Sequence, residues 1–101
     1  MFTKMPSTTP GYTHVVFTLP ASTWAVHLSL VGDFNQWDQQ RMAFTQLRSG
    51  EWRAEIELPV GQRYAFCYWL DGRCISEFHA DGFVMSITGV ANSIIDTSLC
   101  N

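Results

Sequence analysis

The sequence predicts an all-β fold, an antiparallel β-sandwich of about seven short strands with no helix of consequence. Apolar residues recur at every second position in several short runs, the period of a half-buried strand. Turn formers punctuate those runs: Pro20, Ser49-Gly50, Asp71-Gly72 and Asp81-Gly82. A chain of 101 residues, 47% hydrophobic, is sized for one domain with a real core. It has no internal repeat, no low-complexity run and no linker to a second domain.

The elements follow in chain order. Residues 1–12 are rich in Pro, Ser and Thr, which predicts a flexible lead-in; the sandwich spans 13–98 and a tail 99–101. Val15, Phe17 and Leu19 alternate with Val16 and Thr18 until Pro20-Ala21-Ser22 breaks the run. A second strand runs from Ala25 to Val31, with Val26, Leu28 and Leu30 opposed to His27 and Ser29. A weaker extended stretch lies around Met42 to Leu47. Glu51 to Leu58 alternates most cleanly, turning Trp52, Ala54, Ile56 and Leu58 one way and Glu51, Arg53, Glu55 and Glu57 to water. Gln62 to Leu70 puts Tyr64, Phe66, Tyr68 and Leu70 on one face, and Asp71-Gly72 signals a type I′ hairpin. Phe83 to Ile87 and Ser93 to Ser98 close the domain. The predicted core is Phe17, Leu28, Leu30, Trp52, Ile56, Tyr64, Phe66 and Tyr68, with Trp24 as loop cover.

The hairpin fixes a register. If Asp71 and Gly72 form the loop, Leu70 pairs with Arg73 and Trp69 with Cys74. Facing residues share a sheet face, so Cys67, Trp69 and Cys74 lie together, opposite Tyr64, Phe66 and Tyr68. Cys67 and Cys74 are then diagonal neighbours, near each other but unbridged, and three free thiols are expected.

Charge and composition exclude several functions. Six Lys plus Arg and a net charge of −3 do not supply the clustered cations that nucleic acid requires. The apolar runs fall far short of the roughly 20 residues of a membrane span. Three cysteines without Cys-x-x-Cys spacing or a paired His do not suit zinc, so no metal or cofactor is expected. With no secretion signal read in the first residues, a reduced, cytoplasmic chain is the expectation. Asp33 fits turn capping, Glu55 and Glu57 fit a solvated strand face, and His14, His27 and His79 are scattered. No carboxylate pair or nucleophile motif stands out.

The most informative stretch is Gly32-Asp33-Phe34-Asn35-Gln36-Trp37, a turn at a strand end that carries a large aromatic among polar neighbours. Behind it come Glu51-Trp52, Leu58-Pro59-Val60-Gly61, Tyr64-Ala65-Phe66, Leu70-Asp71-Gly72 and Gly89-Val90-Ala91-Asn92-Ser93. Their order and spacing over residues 13–97 resemble the immunoglobulin-like early-set domain of isoamylases and glycogen-branching enzymes (carbohydrate-binding module family 48). That domain is also the glycogen-binding module of the AMP-activated kinase β subunit. The resemblance implies a non-catalytic α-glucan-binding module for starch- or glycogen-like polymer. In that group the catalytic barrel is a separate domain, so no enzyme activity is expected here. A protein partner or a separate catalytic subunit is the other partner class.

The family grips glucan with two tryptophans, a lysine, a leucine and an asparagine. Trp37 matches the first tryptophan and Asn92 the asparagine. Cys67 stands at the lysine position, Cys74 at the second tryptophan and Thr88 at the leucine. Trp69, on the face of Cys67 and Cys74, is the candidate replacement platform. Each carries a structural alternative: Trp37 as a lid on its own loop, Asn92 as a turn residue bonding its own backbone, Trp69 as a buried packing residue. A rival function follows from the substitutions, a protein-interaction module that keeps the fold and has lost the sugar site.

Overall fold

The computed structural model describes residues 1–87, 89 and 91–98. Its elements are β1 (Phe2–Pro6), β2 (Tyr12–Leu19), β3 (Leu28–Gly32), a 3₁₀ turn (Asp33–Asn35), β4 (Thr45–Gln46), β5 (Trp52–Pro59), β6 (Arg63–Leu70), β7 (Arg73–Ile75), β8 (Gly82–Met85) and β9 (Ala91–Asp96). One sheet has the order β1-β2-β5-β4; the other has β3-β6-β9-β8, with β7 paired to β6 beyond the end of β9. All described pairings are antiparallel. The two sheets form the predicted immunoglobulin-like sandwich. Among the described residues no helix is long and apolar enough to cross a membrane.

Period-two burial builds the core. Val15 and Phe17 from β2, Ala54 and Leu58 from β5, Leu28 and Leu30 from β3, and Phe66 and Tyr68 from β6 are all buried there. Trp52, Ile56 and Tyr64, expected in the core, pack against it half-buried. Glu55 and Glu57 face solvent on β5, where they receive the imidazole of His14 at 2.8 and 3.1 Å. The Met42–Gln46 stretch turns a corner between the sheets. Leu30 donates to Met42 and Phe44 to Leu28 along the free edge of β3, and Thr45–Gln46 then pairs with β5.

Three expectations are corrected. The lead-in over 1–12 is not flexible throughout, because Phe2–Pro6 pairs with β2, Phe2 opposite Phe17. Phe2 enters the core, and Lys4, 7% exposed, reaches across the sandwich. Its Nζ donates to Asp81 Oδ2 at 2.9 Å and to the carbonyl of Asp96 at 3.0 Å. An inward lysine hides the alternation that would reveal the strand. Secondly, Val26 is 92% exposed, because β3 begins only at Leu28. The segment ahead of it is tethered instead by the Asp71 carboxylate, which accepts from Val26 N and His27 N. Thirdly, Trp24 covers nothing; it is 91% exposed.

At the end of the second sheet, Glu77 is buried among donors: the hydroxyl of Tyr68 at 2.7 Å, the backbone N–H of His79 at 2.8 Å and the Met1 amino group. Burial alone would raise its carboxyl pKa, yet these donors outweigh it and hold the group below its usual value. Burial and the Glu77 contact push the Tyr68 hydroxyl upward.

Candidate functional site

The turn after β3 is built residue by residue from its side chains. Gly32 is required for space: a Cβ there would lie 2.7 Å from the carbonyl oxygen of Ala65 and 2.8 Å from the Cβ of Phe66. Asn35, buried, accepts from Gly32 N at 3.1 Å and donates to the carbonyl of Leu30 at 2.9 Å, closing the 3₁₀ turn on itself. Phe34 packs edge-on against Tyr64. Gln36 and Trp37 then both adopt left-handed backbone, each with φ 56°. Two consecutive non-glycine residues there cost about 1–2 kcal/mol each, so the surrounding bonds must impose the geometry.

Asp33 imposes it. One carboxylate oxygen accepts the indole N–H of Trp37 at 3.1 Å and the other accepts the backbone N–H of Ala65 on β6 at 2.8 Å. The indole is therefore fixed to the sheet through a single carboxylate, a role that turn capping did not predict. The four-residue spacing from Asp33 to Trp37 was its only sequence signal. Asp33→Ala is expected to cost about 1.5–3 kcal/mol, since it strands the Ala65 N–H and frees the indole. Urea unfolding measures this; a change within about 0.5 kcal/mol, ordinary for a surface site, would show that the carboxylate is no anchor.

The hairpin supplies the floor. Asp71 and Gly72 have φ of 47° and 88°, as a type I′ turn demands. Leu70 pairs with Arg73 and Trp69 with Cys74, the expected register. Cys67, Trp69 and Cys74 consequently share the outer face of the second sheet with Val31, which pairs with Cys67. Asn92 joins them from β9. These residues, with Trp37, Gln39 and Ser86, line one cavity of about 360 Å³. Trp37, Trp69 and Asn92, the three candidate site residues, are thus brought together, each half-buried along that cavity. Trp69 is not covered by the N-terminal segment, which packs in the other sheet. Thr88, at the leucine position, lies outside the described residues.

One expectation about this face is overturned. Cys67 and Cys74 are joined by a disulfide, their Cα atoms 5.7 Å apart. The register behind the contrary expectation holds; the spacing assumed for it does not. Flat strands would leave diagonal neighbours about 7–8 Å apart, whereas this diagonal pair stands at the closer distance that a disulfide spans. The Cys74 sulfur lies 3.8 Å from the Asn92 Oδ1. Cys100 is outside the described residues.

The surface offers polar groups beside two indole faces and a sulfur pair, suited to a ligand with an apolar face rimmed by hydroxyls. Among the described residues, no group of three or more His, Cys, Asp or Glu side chains could hold a metal. Comparison with curated proteins gives no match. The family description "Carbohydrate-binding module 48 (Isoamylase N-terminal domain)" matches residues 5–75, which takes in Trp37, Cys67, Trp69 and Cys74 and stops short of Asn92. With well over half of its length matched, the chain belongs to the carbohydrate-binding module 48 family.

Proposed function

We propose that this protein is a non-catalytic module that binds α-glucan of the starch or glycogen kind weakly, through Trp37, Trp69 and Asn92. The observation that carries the reading is the gathering of these three side chains along one cavity on the outer face of the second sheet. A glucose ring presents a C–H face that stacks on indole and a rim of hydroxyls that an amide can both donate to and accept from. The strained backbone at Trp37 supports the same reading, since such strain persists where a side chain must be presented in one orientation. With a disulfide in place of a lysine and a second tryptophan, affinity should be no better than roughly high micromolar.

Titration with β-cyclodextrin and maltoheptaose, followed by calorimetry or tryptophan fluorescence, tests this. Saturable binding is expected, and Trp37→Ala should weaken it by about 1–3 kcal/mol, the worth of one stacking platform. No saturable signal at millimolar sugar would overturn the reading, and an unchanged affinity in Trp37→Ala would move the site elsewhere. Incubation with amylose, glycogen or pullulan should release no reducing ends.

A second reading has its own support: Phe78, Phe83, Met85 and Ile87 are exposed on and beside the edge strand β8. That apolar surface suits a protein-interaction module, the alternative if sugar fails to bind. The sequence leads to the expectation of a reduced, cytoplasmic chain. With Cys67 and Cys74 bridged, a cytoplasmic chain would be one whose disulfide is transient and redox-responsive.

A further inference from the structure

We infer that the Cys67–Cys74 disulfide is a redox switch on the cavity, which holds sugar better when the bridge is closed than when a dithiol has opened it. The inference rests on the sugar-binding reading above. Three observations carry it. Both cysteines line the cavity, together with Trp69 and Asn92. Cys67 is 1% exposed, whereas Cys74 is half-buried and open to the cavity. Finally, the Cys74 sulfur stands 3.8 Å from Asn92 Oδ1.

A bridged sulfur carries no hydrogen. In the closed form Cys74 cannot donate to Asn92, and the amide oxygen is left to accept from a sugar hydroxyl. Opening the bridge requires a dithiol. One of its thiolates attacks the accessible Cys74 sulfur, expelling the Cys67 sulfur as a thiolate that takes up a proton. The second thiol of the reagent then closes on the first, releasing Cys74 as a thiol. Two electrons and two protons pass from the dithiol to the protein, and the dithiol leaves as its own cyclic disulfide.

Reduction changes the cavity in two ways. The sulfurs must separate from a bond of about 2 Å to van der Waals contact. Cys67 is packed in, so the movement falls to Cys74, toward the cavity. Cys74 also gains an S–H that can donate to Asn92 Oδ1 and compete with the ligand.

The test is β-cyclodextrin titration of the oxidised protein and of the protein in excess dithiothreitol, with alkylation and mass spectrometry of both. Reduction should expose two additional alkylatable thiols and weaken binding about fivefold, the equivalent of one neutral hydrogen bond. Cys67→Ala, which leaves Cys74 as a thiol, should bind like the reduced form without any dithiol. In Cys67→Ala/Cys74→Ala the affinity should be the same with and without dithiol. Equal affinity of the oxidised and reduced wild type, or tighter binding on reduction, would overturn the switch and leave the sugar reading standing. Absence of binding in both forms would remove the sugar reading and the switch with it. If the unreduced protein already alkylates at Cys67 and Cys74, the switch falls alone.

Discussion

Lys4→Met should destabilise the fold by about 3–5 kcal/mol, because it leaves the Asp81 carboxylate without its cation in a largely buried position. Methionine keeps the length and apolar stem of lysine, so the loss reports the charge and its hydrogen bonds rather than packing. Lys4 Nζ serves two acceptors, Asp81 Oδ2 and the Asp96 carbonyl, and lies 5.9 Å from the centre of the Phe2 ring. Adding Asp81→Asn should recover most of the loss, since a neutral amide costs far less to bury and its oxygen can still accept from Asp96 N, as Asp81 Oδ2 does at 2.8 Å. Denaturant midpoints at constant slope give both numbers. A loss below about 1 kcal/mol, the value of an exposed pair, would show that the ion pair contributes nothing special.

Phe66→Ala is expected to cost a similar amount, about 3–5 kcal/mol, for a different reason: it opens a void at the centre of the core. Phe66 is fully buried and meets three other rings edge-on, those of Phe2, Phe17 and Tyr68, at centroid distances of 5.9, 5.4 and 5.9 Å. Those contacts come from both sheets, so the void weakens the joint between layers. Against the 5–15 kcal/mol typical of a domain (~100 residues), the variant should be marginal. Its thermal midpoint should fall well below that of Phe66→Leu, which refills part of the space. Equal midpoints for the two variants would mean that the core collapses around alanine.

What the sequence disclosed and what it hid follow one rule. Where a strand has one wet face, as β2 and β5 have, alternation is legible and so is the set of inward residues. The Asp71-Gly72 hairpin was legible because a type I′ turn has a narrow residue requirement, and its register delivered the shared face of Cys67, Trp69 and Cys74. The meeting of Trp37 with Trp69 and Asn92 was legible only through the family resemblance joined to that register, since nothing local links positions so far apart. Elsewhere the pattern misleads. In β1 the inward position after Phe2 is a lysine, whose polar end is satisfied by residues near the other end of the chain. In β3 all five residues are buried, so periodicity could not set its start, and the strand expected from Ala25 begins only at Leu28. The disulfide depends on how closely one diagonal pair approaches across the hairpin, a property of backbone geometry that residue spacing does not contain.

The contact between Lys4 and Asp81 joins residues 77 apart in sequence. Neighbouring pairings such as β2 with β1, or β6 with β7, close far shorter loops, whose entropic cost is met earlier. The Lys4 contact can form only when both sheets already stand in place, so it is expected to form in the last steps of folding, after the transition state. Stability added after the barrier has been crossed does not hasten arrival at the native state; it delays departure. In Lys4→Met, stopped-flow refolding should keep its wild-type rate while unfolding accelerates. The lysine therefore acts chiefly as a latch, setting how long the folded module lasts once formed.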